Sequence, residues 1–152
     1  MIHTDDNRHP IKNRFHQHYN LIYFLNRNWK EEFGGHLELW SRDASTCVKK
    51  IAPVFNRAVL FDTGRFSFHG HPEPLACPPD RRRNSLAVYY YVTDRPEDGN
   101  YSGFQSIRWV PTTDADRQYF GSKKYLARKV LRKILPPVSA DLYRWAKKRL
   151  GR

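Results

Sequence analysis

The residues of this chain that could do chemistry fall in three short segments in a fixed order. His3-Thr4-Asp5 stands near the start, His69-Gly70 follows in the middle, and Arg83-Asn84-Ser85 comes soon after it. Two imidazoles and one carboxylate can bind one face of an iron(II) ion and leave its other positions open. An arginine with a hydroxyl beside it can hold the far carboxylate of a dicarboxylic acid. The three segments therefore predict a metal site with an anion-binding residue near it.

The spacing within the first segment suits two ligands on one β-strand. Side chains two residues apart on an extended strand point to the same side, so His3 and Asp5 can reach one metal ion while Thr4 points away. Asp6 is the competing carboxylate, but adjacent residues on a strand face opposite ways. A third ligand on the same strand would lie too far along it, so it must come from a distant segment.

His69 is the predicted third ligand. It lies beside a turn, between Gly64 and Gly70, after the apolar run Ala58–Phe61. His71 is two residues further on and is the competing choice. The pair His16 and His18 has same-face spacing as well, but no carboxylate or third ligand stands in an obvious partner segment.

Arg83 is the predicted anion-binding residue. It ends the run Arg81–Arg83, and such runs are usually solvated, so Arg81 and Arg82 remain alternatives. Arg83 alone stands two residues before Ser85 at the mouth of an apolar strand, which would point both side chains to the same face. A buried arginine needs an anionic partner, and a dicarboxylate co-substrate supplies one.

At these residues the chain resembles the iron(II)- and 2-oxoglutarate-dependent oxygenases, in particular their prolyl 4-hydroxylase-like branch. The likeness starts with the motif His3–Pro10 and extends over roughly residues 1–110. The further segments that carry it stand in the same order as in that branch: Asn20–Asn26, Gly34–Trp40, Pro53–Arg57 and Ser85–Tyr91. The resemblance implies a mainly β fold, a distorted double-stranded β-helix of the jelly-roll or cupin-like type.

The resemblance also implies a reaction and its cofactors. Iron(II) would bind His3, Asp5 and His69, and 2-oxoglutarate would chelate the iron and bind Arg83, with Ser85 assisting. Oxygen would take the remaining position, and ascorbate is an optional addition. The expected activity is that of a dioxygenase that hydroxylates an unactivated C–H bond and releases succinate and CO₂. The expected substrate is a peptidyl proline or another organic molecule.

The strand that contains Asn20 and Tyr23 is expected to face the same cavity. These two side chains are therefore candidates to contact the co-substrate or to support the metal ligands, although core packing would explain Tyr23 as well. In the family, one or two barrel strands precede the first metal motif, whereas here it starts at His3. We therefore expect the first barrel strands to be missing, and a catalytically inactive truncated barrel is one alternative function.

The order of short segments favours a jelly-roll barrel over an alternating α/β sheet. Strands are expected over residues 20–26, 36–40, 54–61, 85–92 and 105–110, with Gly- and Pro-rich connections and a Pro-rich loop between His69 and Arg81. After about residue 118 the apolar spacing becomes helical, with Leu126, Val130 and Ile134 amid lysines and arginines. The chain is therefore expected to end in basic helices.

The net charge of +12 is concentrated at the C-terminal end. Residues 1–116 hold 15 Lys and Arg against 14 Asp and Glu, whereas residues 117–152 hold 12 against one. We expect an oxygenase core over 1–116 and a basic helical segment over 117–152. The excess charge does not make a nucleic-acid enzyme of the core, although the basic segment could act as a separate binding module or contact an anionic surface weakly.

The remaining features of the sequence concern its compartment. There is no run of about 18 apolar residues, so no transmembrane helix is expected. No secretory signal is expected either, because charged residues stand by position 5 and no apolar segment is found there. The two cysteines, Cys47 and Cys77, form no framework pattern and are expected to be reduced thiols. These features favour a cytoplasmic protein.

Overall fold

The computed structural model describes residues 1–9, 11–12, 14–93, 107–122 and 125–126. The chain divides into two compact units, Met1–Thr112 and Thr113–Arg152. The first unit contains every residue of the sequence motifs described above. Within the described residues, no helix is long and apolar enough to cross a membrane.

The described part of the first unit is built from antiparallel strands. Its strands are β1 Ile2–His3, β2 His16–Phe24, β3 Leu37–Trp40, β4 Cys47–Ile51, β5 Arg57–Asp62, β6 His69–Gly70, β7 Ser85–Val92 and β8 Trp109–Val110. One sheet has the order β4-β3-β6-β1-β8, and a second has the order β5-β2-β7. The mainly β class is therefore confirmed, while the jelly-roll arrangement and the missing strands stay predictions.

The central strand of the smaller sheet sets which residues face inward. β2 pairs with β5 on one side and with β7 on the other, so that Asn20 lies between Phe61 and Tyr89, and Phe24 lies between Arg57 and Ser85. Strand alternation then gives β2 one inner and one outer face.

The inner faces of the two sheets share a small apolar core. Phe24 and Phe61 from the smaller sheet form a buried cluster with Leu37 of the larger sheet. Four partly buried side chains complete it: Ile22, Leu39, Ile51 and Val59. Because the core holds the two sheets together, it fixes the distance between residues that project from opposite sheets.

The outer face of the smaller sheet is also apolar, but exposed. Leu60 of β5 is 59% exposed, and Leu86 and Val88 of β7 are 57% and 44% exposed. They lie around Leu21 at the centre of the face, since Leu21 pairs with both Leu60 and Val88.

The strand predictions differ from the structure mainly at their ends. β7 spans the predicted residues, whereas β2 starts four residues before the predicted strand and ends at Phe24. A short 3-10 helix, Glu31–Phe33, precedes β3. Strand β4, Cys47–Ile51, was not predicted, because its exposed Lys49 and Lys50 break the apolar alternation. Of the predicted strand 105–110, Trp109–Val110 is observed, and residues 105–106 lie outside the described residues.

The second unit contributes one described helix, α1, Asp114–Gly121. Its start is fixed by a reciprocal capping box, in which Thr113 accepts from the Asp116 backbone and the Asp116 side chain accepts from the Thr113 backbone. Residues 127–152, which carry most of the predicted basic helices, lie outside the described residues. The division into an oxygenase core and a basic segment therefore stays a prediction.

Candidate metal centre

Strand pairing brings the two predicted histidine ligands together. β1 pairs with β6, and His3 lies directly opposite His69 in the antiparallel register. Directly opposite residues have Cα atoms about 4.5–5.5 Å apart, so their side chains meet on the same face of the sheet. The ring centroids of His3 and His69 are 4.5 Å apart.

Asp5 completes the cluster from the segment that follows β1. Its Oδ1 lies 3.6 Å from Nε2 of His3, and its Oδ2 lies 3.6 Å from Nε2 of His69. One donor atom from each of the three side chains lies within 4.8 Å of the others. Three donors at such distances can converge on one metal ion. No other group of this kind is found among the described residues.

Burial and mutual charge hold the donors in forms that bind metals. Burial, followed by the charge of His69, lowers the pKa of His3 to about 4, although Asp5 acts in the opposite direction. Burial would raise the pKa of Asp5, but hydrogen bonding and charge from the histidines and from Asn20 give it a net lowered pKa. At neutral pH the His3 imidazole is therefore neutral and Asp5 is a carboxylate.

The ring of His69 is oriented by its own loop. Its Nδ1 lies 3.1 Å from the carbonyl oxygen of Ser67, an acceptor that favours the proton on Nδ1. Nε2, which faces Asp5, then carries the lone pair that a metal needs. The other ring contacts are aromatic: Phe61 lies 4.7 Å from His69, and Trp109 lies 4.5 Å from His3, measured between ring centroids.

Two neutral imidazoles and one carboxylate on one side of a site are the donor set that suits iron(II) with open positions. The residues present therefore fit such an ion. The sequence agrees with this chemistry, since the family model of the 2OG-Fe(II) oxygenase superfamily matches residues 1–100. The chain belongs to this superfamily. No curated protein and no solved structure matches it.

The other residues that could compete as ligands of this oxygenase are not part of the cluster. His71 is exposed. His18 lies 3.6 Å from Asp62, and His36 is paired with Glu31 at 2.8 Å. Among the described residues, the donors that converge are those of the ordered sequence motif.

Arg83 of the oxygenase lies against the inner face. Its Nε donates a hydrogen bond of 2.6 Å to the carbonyl oxygen of Gly35, and its guanidinium lies 5.0 Å from the ring centre of Phe24. Burial lowers the pKa of this arginine. Its neighbour Arg81 instead donates to the carbonyl oxygens of Arg27 and Asn28 at the surface.

Gly35 makes the position of Arg83 sterically available. Its φ of +70° lies in the left-handed region, and a Cβ there would stand 2.9 Å from Cδ of Arg83 and 2.5 Å from Cδ2 of Leu75. Real Cβ atoms do not approach heavy atoms so closely, so a side chain at this position would push against Arg83. Glycine is therefore required here for two reasons, conformation and space.

Ser85 and Asn20 share the inner face of the smaller sheet. Ser85 pairs with Phe24, and two rungs further along the same face Tyr89 pairs with Asn20. Asn20 reaches the cluster, since its Nδ2 donates to Oδ2 of Asp5 at 3.1 Å. The inner face thus runs from the metal ligands at one end to Arg83 and Ser85 at the other.

Tyr23 is not brought to the cluster. It lies three residues from Asn20 on a regular stretch of β2, so its side chain projects from the outer face. Its hydroxyl donates a hydrogen bond of 2.5 Å to Oδ1 of Asn56. The expectation that Asn20 and Tyr23 face one cavity is incompatible with strand alternation.

Sequence reasoning missed Gln17, whose Nε2 donates to Oδ1 of Asn20 at 2.7 Å. On a regular strand, residues three apart would face opposite ways, but the register of β2 shifts between Gln17 and Tyr19. This β-bulge turns both amides to the inner face. No local sequence signal marks it. Trp109 lies in a strand that the sequence predicted, but nothing in the sequence indicated that its ring would contact His3.

Proposed function

We propose that this chain is an Fe(II)- and 2-oxoglutarate-dependent dioxygenase that hydroxylates an unactivated C–H bond, with release of succinate and CO₂. The observation that carries the proposal is the convergence of His3, Asp5 and His69, whose donor atoms lie within 4.8 Å of one another, in a chain of the 2OG-Fe(II) oxygenase superfamily. The prolyl 4-hydroxylase-like branch is the finer part of the proposal and depends on the sequence resemblance.

In this proposal the three clustered side chains hold iron(II), and the bound ion supplies oxygen activation. The protein supplies a fixed set of donors on one side of the ion. His69 is oriented by the Ser67 carbonyl and His3 by its stacking against Trp109. Both contacts restrain the rings before any ion binds, which lowers the ordering cost of binding.

Arg83 is proposed to bind the distal carboxylate of 2-oxoglutarate. The hydrogen bond from Nε to Gly35 fixes the plane of the guanidinium, and its terminal nitrogens form the fork that carboxylates bind. Burial strengthens this attraction, because the charge of a partly desolvated arginine is less screened. Ser85 follows Arg83 by two residues and supplies a hydroxyl on the same face.

A cavity beside His69 supports the proposal that the substrate is an organic molecule. It has a volume of about 230 Å³ and is lined mainly by aromatic and apolar side chains, with His69 in its wall. The lining residues are Leu39, Trp40, Phe61, Asp62, Phe66, Ser67, Phe68 and His69. Apolar walls favour a hydrocarbon portion of a substrate, such as a peptidyl proline ring or a small organic molecule.

The alternative functions rest on other parts of the chain. The basic binding module would act through residues 117–152, most of which lie outside the described residues. The inactive truncated barrel would lack a working metal site, whereas the donors of the described site converge. Neither alternative is favoured by an observation on the described residues.

The proposal is tested by anaerobic Fe(II) titration, followed by addition of oxygen and 2-oxoglutarate and quantification of succinate. We expect the wild type to bind about one equivalent of iron and to form succinate, and we expect His69→Ala to lose both. The matched control is His71→Ala, which removes the neighbouring imidazole from outside the cluster and should leave both intact. A wild type that binds no stoichiometric iron would overturn the proposal.

A further inference from the structure

Three side-chain amides form a line that ends on the metal-site carboxylate. Nδ2 of Asn7 donates to Oε1 of Gln17 at 3.3 Å, and Nε2 of Gln17 donates to Oδ1 of Asn20 at 2.7 Å. Nδ2 of Asn20 then donates to Oδ2 of Asp5 at 3.1 Å. Asn7, Gln17 and Asn20 are called the amide relay below.

The direction of the relay is dictated by its last member. An ionised carboxylate only accepts hydrogen bonds, so Asn20 must present Nδ2 rather than Oδ1 to Asp5. Oδ1 of Asn20 is then turned to Gln17, which must present Nε2 and turns Oε1 to Asn7. Each amide orientation thus follows from the next one, and a flip of any single amide would set two donors or two acceptors against each other.

The relay crosses from one sheet to the other in a buried environment. Asp5 follows β1 of the larger sheet, whereas Gln17 and Asn20 project from β2 of the smaller sheet. Gln17 is 2% exposed and Asn20 is 4% exposed. Water cannot easily replace a lost partner at such sites, so each hydrogen bond restrains the groups it joins more strongly than a surface bond does.

The relay touches one carboxylate oxygen and not the other. Asn20 donates to Oδ2, which also lies 3.6 Å from Nε2 of His69, while Oδ1 lies 3.6 Å from Nε2 of His3. The amide hydrogen bond restrains the carboxylate against rotation, so both oxygens keep their positions facing the two histidines.

We propose that Gln17 and Asn20 are positioning residues, which hold the Asp5 carboxylate in the orientation in which it faces His3 and His69. This inference rests on the proposed function, because it takes Asp5 as a metal ligand. Asn20 acts directly on the carboxylate, and Gln17 acts through Asn20 by fixing the direction of its amide. Together they fix the carboxylate between the two histidines before an ion binds.

The test uses Co(II) as the probe, bound to the full chain without oxygen. Asn20→Leu removes the donor to Asp5 at similar side-chain volume, and Gln17→Met removes the donor to Asn20 in the same manner. Loss of a group that supports a metal ligand typically weakens metal binding about 10–100-fold, and we expect this range for Asn20→Leu. Gln17→Met should weaken Co(II) binding less, since Asn20 keeps its donor but loses its fixed orientation.

Two further measurements separate positioning from packing. The visible absorption of bound Co(II) reports the number and arrangement of its ligands, and Asn20→Leu should change it. The double variant should bind Co(II) no more weakly than Asn20→Leu alone, because Gln17 acts only through Asn20. The matched control is Tyr23→Phe, which removes a hydrogen bond from the outer face of the same strand and should change neither affinity nor absorption.

The outcomes distinguish this inference from the proposed function. If the wild type binds no Co(II) or Fe(II), the metal centre itself is wrong, and both proposals fall. If the wild type binds but both single variants bind equally well with an unchanged spectrum, the relay alone is wrong. Strictly additive losses in the double variant would also overturn it. Should Asn20→Leu not fold, Asn20→Ser, which is smaller and shortens the reach to Asp5, gives the same comparison.

Discussion

His3 and His69 lie directly opposite each other on adjacent antiparallel strands, and their ring centroids are 4.5 Å apart. A positive charge on one of these rings would therefore act directly on the other. Two cations so close together in a partly buried site repel each other, and burial adds a desolvation cost. Burial, together with the charge of His69, therefore lowers the pKa of His3 in the absence of a metal.

The metal-free protein should therefore lose stability as the pH falls from about 6.5 toward 4. Unfolded His3 takes up a proton near pH 6.5, whereas native His3 does so only at about 4. Between these values the unfolded state binds more protons, so acid favours unfolding, by at most about 3 kcal/mol from this residue. Urea unfolding in the presence of a chelator should show a steeper pH dependence for the wild type than for His3→Gln.

The same experiment contains its own control above pH 6.5. There, neither the native nor the unfolded His3 is protonated to a large extent, so the two unfolding midpoints should run parallel with pH. A wild type and a His3→Gln variant that stay parallel down to pH 4 would contradict the lowered pKa of His3. Asp5, whose pKa is also lowered, loses its contribution at still lower pH, below its ordinary value of 3.8.

The sequence was sufficient for features that depend on spacing within one strand. The Val- and Tyr-rich run of β7 was recognised from its composition. The two-residue spacing of His3 and Asp5 predicted that both side chains face one side, although only His3 lies on β1 and Asp5 follows that strand. The position of His69 opposite His3 depends on strand pairing, which residue spacing alone does not give. The choice of His69 as the third ligand came from the order of the motifs and the family resemblance, whereas its place opposite His3 was not predicted.

The features that the sequence did not reveal depend on irregular backbone or on distant partners. The β-bulge near His18 turns Gln17 to the inner face, and a pattern of period two misses such a shift. Regular alternation does place Tyr23 and Asn20, three residues apart, on opposite faces of β2. The hydrogen bond between Arg83 and Gly35 joins residues 48 positions apart, and neither local sequence indicates that the two residues meet.

Replacement of Arg83 should weaken the use of 2-oxoglutarate. Arg83→Gln removes the charge and the fork that would bind the distal carboxylate, and hydrogen bonds to charged groups contribute about 1.5–3 kcal/mol. We therefore expect the KM for 2-oxoglutarate to rise roughly 10–100-fold, measured as succinate formation against co-substrate concentration. Arg83→Lys keeps the charge but not the planar fork, so its KM for 2-oxoglutarate should lie between those of the wild type and of Arg83→Gln.

The matched control for Arg83 is its neighbour Arg81. Arg81 is exposed and donates to backbone carbonyls at the surface, so Arg81→Gln should leave the KM for 2-oxoglutarate unchanged. An equal rise in KM for both variants would indicate a general effect of positive charge and would contradict the specific role of Arg83.

The inner and outer faces of the smaller sheet should respond very differently to truncation. Phe24 is fully buried at the centre of the core cluster, and Phe-to-Ala changes in such positions cost about 3–5 kcal/mol. Leu86→Ala, on the outer face of the neighbouring strand, should change the free energy of unfolding by about 1 kcal/mol or less, since Leu86 is 57% exposed. Denaturant unfolding measures both variants, and equal losses in the free energy of unfolding for Phe24→Ala and Leu86→Ala would contradict the assignment of the two faces.

Gly35→Ala should affect both stability and co-substrate binding. The backbone at φ +70° is strained for alanine, at a cost of about 1–2 kcal/mol. The new Cβ would also displace Arg83, whose Cδ lies 2.9 Å from its position, so the KM for 2-oxoglutarate should rise as well. Gly34→Ala is the matched control, because Gly34 has a similar φ of +65° but its Cβ would meet only the Pro74 carbonyl oxygen, at 3.5 Å. We expect Gly34→Ala to lower the melting temperature without changing this KM, whereas a KM that rises equally in both variants would mean that backbone strain, and not the displacement of Arg83, weakens co-substrate binding.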